Sequence, residues 1–160
     1  MPKKYDHIDF KPPKGAAEQA ERGLRLREQA TSSNKGGLSV SQAKKEGVGS
    51  GVQRAVNLKN RNTLSPETIK KMHGFFSRHE KNKKIDKGKT PLTDKGYQAW
   101  LLWGGDPGAA WARKLMRQMQ AVDKKASYAV DKVASVLEQK GLHKYALALD
   151  KLADRLDGDY

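Results

Sequence analysis

The sequence predicts an all-α fold: an irregular multi-helix domain with an extended N-terminal arm and a C-terminal antiparallel helical hairpin. Apolar side chains recur every three or four residues, most clearly between positions 142 and 156, as on one face of an α-helix. A capping residue followed by proline, which is typical of helix starts, occurs at positions 65–66 and 106–107. We therefore expect about five or six helices. They are divided among an arm at 1–14, a basic helical domain at 15–121 and the hairpin at 122–160.

The first 14 residues predict an extended arm, because they contain three prolines and alternate charged residues with apolar ones. Tyr5, Ile8 and Phe10 are its apolar residues, and the arm is ordered only if these side chains dock on the rest of the chain. Good helix formers follow from Gly15, and the segment TSSNKGG that begins at position 31 ends this predicted first helix.

Three further helices are predicted in the middle of the chain. Short ones are expected at 41–46 and 52–61, separated by the glycine-rich segment GVGSG. The clearest start lies at 64–67, where serine offers its hydroxyl to free amides, proline takes the first helical position and glutamate meets the positive end of the dipole. The apolar residues of that helix follow at helical spacing: Ile69, Met72 and Phe76.

The remaining elements are a loop, a corner and the hairpin. The lysine-rich segment at 81–91 is expected to be solvated, and residues 97–119 predict a helix–turn–helix corner around Gly-Gly-Asp-Pro-Gly. Gly141 lies at the expected turn of the hairpin. The two predicted apolar stripes of the hairpin are Val130, Val133 and Leu137 on its first helix, and Leu142, Tyr145, Leu149, Leu152 and Leu156 on its second.

The charge of the chain is large and unevenly distributed. The 160 residues include 32 Lys and Arg against 18 Asp and Glu, a net charge of +14. Residues 1–120 carry the whole excess, whereas residues 121–160 have seven charges of each sign. Such a field attracts nucleic acid, acidic proteins or anionic lipid. Lipid is the weakest of these candidates, because no helix combines a broad Trp/Phe/Leu face with a basic face.

Several classes of protein are excluded by composition. The chain has no cysteine, so it has neither disulfides nor thiolate metal sites. Its first residues, MPKKYDHIDFKPPKG, lack the apolar region of a secretory signal. No segment approaches the roughly 20 apolar residues of a membrane span. We expect a protein without membrane association, located in the cytosol or packaged inside a particle assembled there.

The three tryptophans, Trp100, Trp103 and Trp111, lie within twelve positions around the predicted corner. Large aromatic side chains bury much area, and the core interpretation is favoured in a chain with few other large apolar groups. The alternative is a platform on which bases stack, which requires exposed rings interleaved with basic residues. The sequence neighbours here are Leu, Ala and Gly, so we expect Trp103 and Trp111 to meet in the corner and to be buried.

No catalytic constellation can be identified. Arg78, His79 and Glu80 are adjacent, but the second histidine of an H-E-x-x-H zinc helix is missing, and His73 and His79 point to different sides of a helix. A structural role in hydrogen bonding is favoured for this cluster. The glycines at 47, 49 and 51 are not followed by the Gly-Lys-Ser/Thr of a phosphate-binding loop. We predict no catalytic residue, no metal site and no cofactor.

The strongest indication of binding is a run of basic residues between positions 54 and 89. It contains eleven positive residues and three negative ones, which is more than an ordinary solvated surface requires. Charge kept for solubility is the alternative explanation. The predicted nucleic-acid-binding residues are Arg54, Lys59, Arg61, Lys70, Lys71, Arg78, Lys81, Lys83, Lys84, Lys87 and Lys89.

Two stretches resemble a poorly characterised group of small basic proteins and modules encoded by tailed bacteriophages. They are GVGSGVQRAVNLKNRNTLSPETIKKMHGFFSRHE and AWLLWGGDPGAAWARKLMRQM, and the likeness covers about residues 37 to 119. The shared pattern is the Phe-Phe-Ser-Arg-His-Glu helix end and the Ala-Trp-Leu-Leu-Trp-Gly-Gly-Asp-x-Gly-x-x-Trp-Ala corner. The resemblance implies a viral protein that acts in the host cytoplasm or in the phage particle.

We expect a non-enzymatic nucleic-acid-binding protein that contacts the phosphate backbone with little base readout. Lysine dominates the basic run, and arginines suited to bidentate contacts with guanine are few. DNA is favoured over RNA as the partner. The first alternative is a structural or assembly protein of the phage particle, whose arm and hairpin dock on neighbouring virion subunits. The second alternative is a phage protein that binds and modulates a host protein.

Overall fold

A computed structural model describes residues 4–46 and 49–157 of the chain. This part is helical and contains no β-strand, so the predicted all-α class is confirmed. The seven α-helices are α1 (Lys14–Gln29), α2 (Val40–Glu46), α3 (Gly51–Lys59), α4 (Pro66–Arg78), α5 (Lys95–Leu102), α6 (Gly105–Gln139) and α7 (His143–Asp157). Single-turn 3-10 helices occur at Ser32–Asn34 and Glu80–Lys83. None of the described helices is both long enough and apolar enough to cross a membrane.

The chain forms two compact units. The first, which we call the basic unit, is Phe10–Lys114. The second, which we call the terminal unit, combines the residues up to Asp9 with those from Leu115 onward. The boundary falls within α6, so the first ten residues of this helix belong to the basic unit.

Small residues allow the helices of the basic unit to approach closely. Helix α1 packs against both α3 and α5. Ala16 and Ala20 of α1 are fully buried, and a Cβ added to Gly23 would lie only 2.8 Å from the backbone nitrogen of Leu102. Only glycine fits at such a contact between helix backbones. This close packing explains how a chain with 36% hydrophobic residues still builds a core.

The helix starts follow local capping chemistry. At α4, the predicted start, the Ser65 hydroxyl accepts a hydrogen bond from the amide of Thr68 at 3.2 Å, and Pro66 occupies the first helical position. At α3 the Ser50 hydroxyl accepts from the amide of Gln53 at 3.1 Å. Each hydroxyl satisfies an amide that has no partner inside its own helix.

The loop before α5 is organised by Asp94, which is only 3% exposed. Its carboxylate accepts hydrogen bonds from the amides of Asp86, at 2.7 Å, and Tyr97, at 3.0 Å. Burial raises the pKa of Asp94, but these amides, the nearby Lys89 and the amide of Gly96 outweigh burial, so the net pKa lies below its ordinary value. The charged form of Asp94 therefore stabilises the folded state.

The free energy of unfolding should consequently fall in acid. The unfolded carboxyl has a pKa of about 3.9, so the contribution of Asp94 is fully present above that pH and is lost as the pH falls through the lower folded value. Asp94→Asn keeps a capping oxygen but has no carboxyl to protonate. Its urea midpoint should therefore change less between pH 5 and pH 2 than the midpoint of the parent. Asp86→Asn, at an exposed position, is the control. Identical acid sensitivity of Asp94→Asn and the parent would contradict this assignment.

Helix α6 is longer than the sequence predicted. Separate helices were expected for the corner and for the start of the hairpin, but the structure has one continuous helix of 35 residues. The physical reason is that no glycine or proline occurs between Gly108 and Gly141. Gly141 has a φ of 74°, and the turn there connects α6 to α7.

The buried faces of the hairpin helices are rotated from the predicted stripes. Val133 is 52% exposed and Tyr145 is 63% exposed, although both were predicted to belong to these stripes. The buried positions are alanines instead: Ala134 on α6, and Ala146 and Ala153 on α7. Small side chains let helices pack closely, and the larger apolar residues then lie beside the contact or in solvent.

The N-terminal arm is ordered by docking, as its apolar residues suggested. Ile8 and Phe10 are buried, and Tyr5 is half-buried. Within the terminal unit, the Tyr5 hydroxyl donates to the carboxylate of buried Asp123 at 3.0 Å, and the Lys4 ammonium lies 2.7 Å from the same carboxylate. The arm is not extended throughout, because a turn closes between Tyr5 and Ile8.

Candidate nucleic-acid interface

Three half-buried rings lie in contact within the basic unit. Trp103, directly after α5, stacks on Phe75 of α4 with ring centroids 4.4 Å apart and planes inclined by 9°. Phe75 also contacts the ring of His79, which ends α4, at 4.9 Å. We call Trp103, Phe75 and His79 the aromatic stack. Each of the three keeps part of its surface in solvent.

A cation from a third helix lies over this stack. The guanidinium carbon of Arg54, on α3, is 5.5 Å from the centroid of the Trp103 ring, which is within cation–π range. Burial lowers the pKa of Arg54, although a guanidinium stays charged near neutral pH. Within the described residues the Nε of Arg54 is buried and makes no hydrogen bond. The charge of Arg54 is therefore stabilised in part by the indole ring.

The local sequence of α4 places two more cations beside the stack. Ile69, Met72 and Phe76 form the buried face of this helix. Lys71 precedes Phe75 by four residues and Arg78 follows Lys71 by seven, so the three residues share one side of the helix. Lys71 and Arg78 are both exposed. The resulting surface combines partly exposed rings with positive charge.

Two of the three tryptophans fit the core interpretation, and the third does not. Trp100 and Trp111 are buried, at 4% and 8% exposure, as the core interpretation predicted. The expectation for Trp103 was wrong: it is half-buried and stacks on Phe75. Trp103 is the residue that ends α5, and its ring contacts the side of α4 on which Phe75 lies, rather than the buried face of that helix.

The eleven predicted binding residues have different environments in the structure. Arg54 lies over Trp103, and Arg61 donates from Nε to the carbonyl of Pro12 at 2.8 Å. Lys83 and Lys89 each pair with an acidic residue three positions earlier, at 3.1 Å and 3.2 Å. Lys70 is half-buried. The exposed residues with no ion pair among the described part of the chain are Lys59, Lys71, Arg78, Lys81, Lys84 and Lys87.

An open pocket of about 440 Å³, with both polar and apolar lining residues, lies on another side of α4. Its lining includes His73, Lys83 and Arg113, together with Asp106, whose carboxylate accepts a hydrogen bond from the Trp100 indole at 2.9 Å. Arg113 was not among the predicted binding residues. Its position on the polar side of α6 can be read from the sequence, but its proximity to Lys83 depends on the packing of α6.

The members of the Arg78-His79-Glu80 cluster have separate surroundings, and the hydrogen-bonding role favoured for them stays a prediction. His79 ends α4 and packs on Phe75, and Glu80 pairs with Lys83 in an exposed position. No three His, Asp or Glu side chains converge as metal ligands in the part of the chain that the structure describes. In the glycine-rich segment, Gly47 lies outside the described residues.

This arrangement can bind anions and flat rings. The exposed lysines provide mobile positive charges suited to phosphate. The aromatic stack adds ring surface of a kind that accepts unpaired bases. Comparison of the chain with protein-family models, with curated protein sequences and with solved structures finds no match.

Proposed function

We propose that the chain is a phage-encoded, non-enzymatic nucleic-acid-binding protein that acts through contacts with the phosphate backbone. The observation that carries this proposal is the concentration of charge in one compact unit. The basic unit has 22 basic and 9 acidic residues, a net charge of +13, whereas the rest of the chain has a net charge of +1. The phage origin rests on the sequence resemblance alone, and it would place the protein in the host cytoplasm or in the particle.

The exposure of the cations supports phosphate contacts. Six of the predicted residues, between Lys59 and Lys87, are exposed and have no carboxylate partner among the described residues. Binding by such residues releases condensed counterions from the nucleic acid, so affinity falls steeply with salt. Lysine is a point charge without the planar fork that reads guanine, so we expect little sequence preference, with DNA favoured over RNA.

A charge-reversal variant tests the proposal. Changing Lys71, Arg78, Lys81 and Lys84 to Glu should weaken binding to duplex DNA about 100-fold. The log–log slope of affinity against salt should become shallower by about one unit for each phosphate that the variant no longer neutralises. These four residues are exposed, so the fold should be retained. Gel-shift titration at several salt concentrations, with circular dichroism as a check of folding, measures both effects.

The matched control reverses four exposed lysines of the terminal unit: Lys124, Lys132, Lys140 and Lys144. This control changes the net charge by the same amount at positions outside the basic unit. Its affinity for duplex DNA should therefore fall much less than that of the first variant. Equal reductions of affinity in the two variants would mean that the total charge, rather than this surface, determines binding. Failure of the parent to bind either duplex or single-stranded DNA would refute the proposal.

A second candidate function, assembly of the phage particle, is favoured by the surface of the terminal unit. Large apolar side chains are exposed there, including Tyr128 at 69%, Tyr145 at 63% and Leu147 at 57%. Because this unit is nearly neutral, two copies can associate through it without strong charge repulsion. Light scattering on the full chain distinguishes the candidates, since a protein that is monomeric at all concentrations would exclude self-assembly through this surface.

A further inference from the structure

The aromatic stack lies partly in solvent, although large rings normally contribute to a core. The chain has three tryptophans and three phenylalanines, and Trp103 and Phe75 use two of these six rings at a half-buried site that keeps part of its surface in solvent. The planes of Trp103 and Phe75 are nearly parallel, as in an aromatic stacking contact, whereas the ring of His79 is tilted by 37° from that of Phe75. Exposed apolar surface that is surrounded by polar groups often marks a binding site.

Positive charge surrounds these rings. Arg54 lies over Trp103, and exposed Lys71 and Arg78 flank Phe75 on the same side of α4. Surfaces that bind single strands combine the same two elements: rings on which bases stack, and cations that follow the backbone.

We propose that the aromatic stack is a platform for unpaired bases, so that the preferred ligand of the basic unit is single-stranded nucleic acid. The inference rests on the proposed function and specifies its substrate class. His79 contacts Phe75 and is partly exposed, so its ring offers an incoming base a surface beside the Trp103–Phe75 pair. Bases in a duplex are already stacked and paired, so they cannot use this surface without being unpaired.

The experiment compares three ligands: a thymidine strand, an abasic deoxyribose-phosphate strand of the same length, and a duplex. The parent should bind the thymidine strand about tenfold or more tighter than the abasic strand, because only the first has bases that can stack. Tryptophan fluorescence supplies a second readout. Trp100 and Trp111 are buried, so quenching by the thymidine strand should come from Trp103.

Trp103→Leu should remove the quenching and abolish the preference for the thymidine strand, while affinity for the abasic strand changes less than about twofold. His79→Ser, at the exposed end of the stack, provides an independent variant if Trp103→Leu lowers the melting temperature. Arg78→Glu is the matched control, since removing a cation that neutralises phosphate should weaken binding to both strands equally.

The outcomes separate this inference from the proposed function. If the parent binds thymidine and abasic strands equally, or if neither Trp103→Leu nor His79→Ser alters the preference, the stacking platform is refuted and phosphate binding stands. If the duplex is bound more tightly than the thymidine strand, the single-strand assignment is refuted as well. If none of the three ligands binds, the proposed function itself fails.

Discussion

Replacing Trp100 with alanine is expected to lower the free energy of unfolding by about 3–5 kcal/mol, the range for removal of a buried aromatic side chain. The ring is only 4% exposed and packs edge-to-face on Phe76, with centroids 4.7 Å apart. Its indole nitrogen donates a hydrogen bond to Asp106 at 2.9 Å, so the substitution also removes a link between α5 and the start of α6. Urea denaturation followed by circular dichroism measures the change in stability.

Trp103→Ala is the matched control, because it deletes the same side chain at a half-buried position. Since less apolar area leaves the core, the expected loss of stability is smaller than that of Trp100→Ala. A destabilisation by Trp103→Ala as large as that by Trp100→Ala would contradict the distinction between a buried core tryptophan and a surface one.

Features governed by local chemistry could be predicted from the sequence. The start of α4 depends on Ser65 and Pro66, which act within a single helical turn, and the structure places the cap there. The all-α class follows from helical spacing that repeats along the chain. The arm could also be recognised, because Ile8 and Phe10 are isolated apolar residues that need a buried position.

Features that depend on packing could not be predicted in this way. The sequence pattern placed Tyr145 on the buried stripe of α7, whereas the structure buries Ala146. Neighbouring positions on a helix differ by only about 100°, and residue size decides which of them faces a partner helix. Alanine contributes little to a hydrophobicity pattern, so the pattern predicted that the larger apolar residues beside the alanines form the buried face.

The candidate interface was predicted only in part for the same reason. A count of charges located the basic region, but it could not show that Lys83 and Lys89 are paired with acidic residues. Nor could the count of charges show that Arg54 lies over Trp103, because the two residues are far apart in the chain and no motif connects them. The neighbours of Trp103 in sequence are apolar, whereas its neighbours in space include a cation and an aromatic ring.

Gly36→Ala is expected to destabilise the protein by about 3 kcal/mol or more, at the upper end of the cost of overpacking. Gly36 is buried against α5, and an added Cβ would collide with the carbonyl oxygen of Lys95 and lie 2.8 Å from the Cβ of Gln98. Its amide donates to the Gln98 side chain at 2.8 Å, and its carbonyl accepts from Arg27 at 3.0 Å. Moving the loop to relieve the collision would break these bonds, one of which involves a fully buried amide side chain.

Gly74→Ala is the control, since the same methyl group is added within a helix where only the flexible end of Arg78 lies near, at 3.1 Å. Alanine is the better helix former by about 1 kcal/mol, so this variant should be as stable as the parent or more stable. Gly36→Ala should therefore unfold at a lower temperature than the parent, and Gly74→Ala at the same temperature or a higher one. If Gly36→Ala unfolded at the temperature of the parent, the loop after α1 could not be packed on α5 through this glycine.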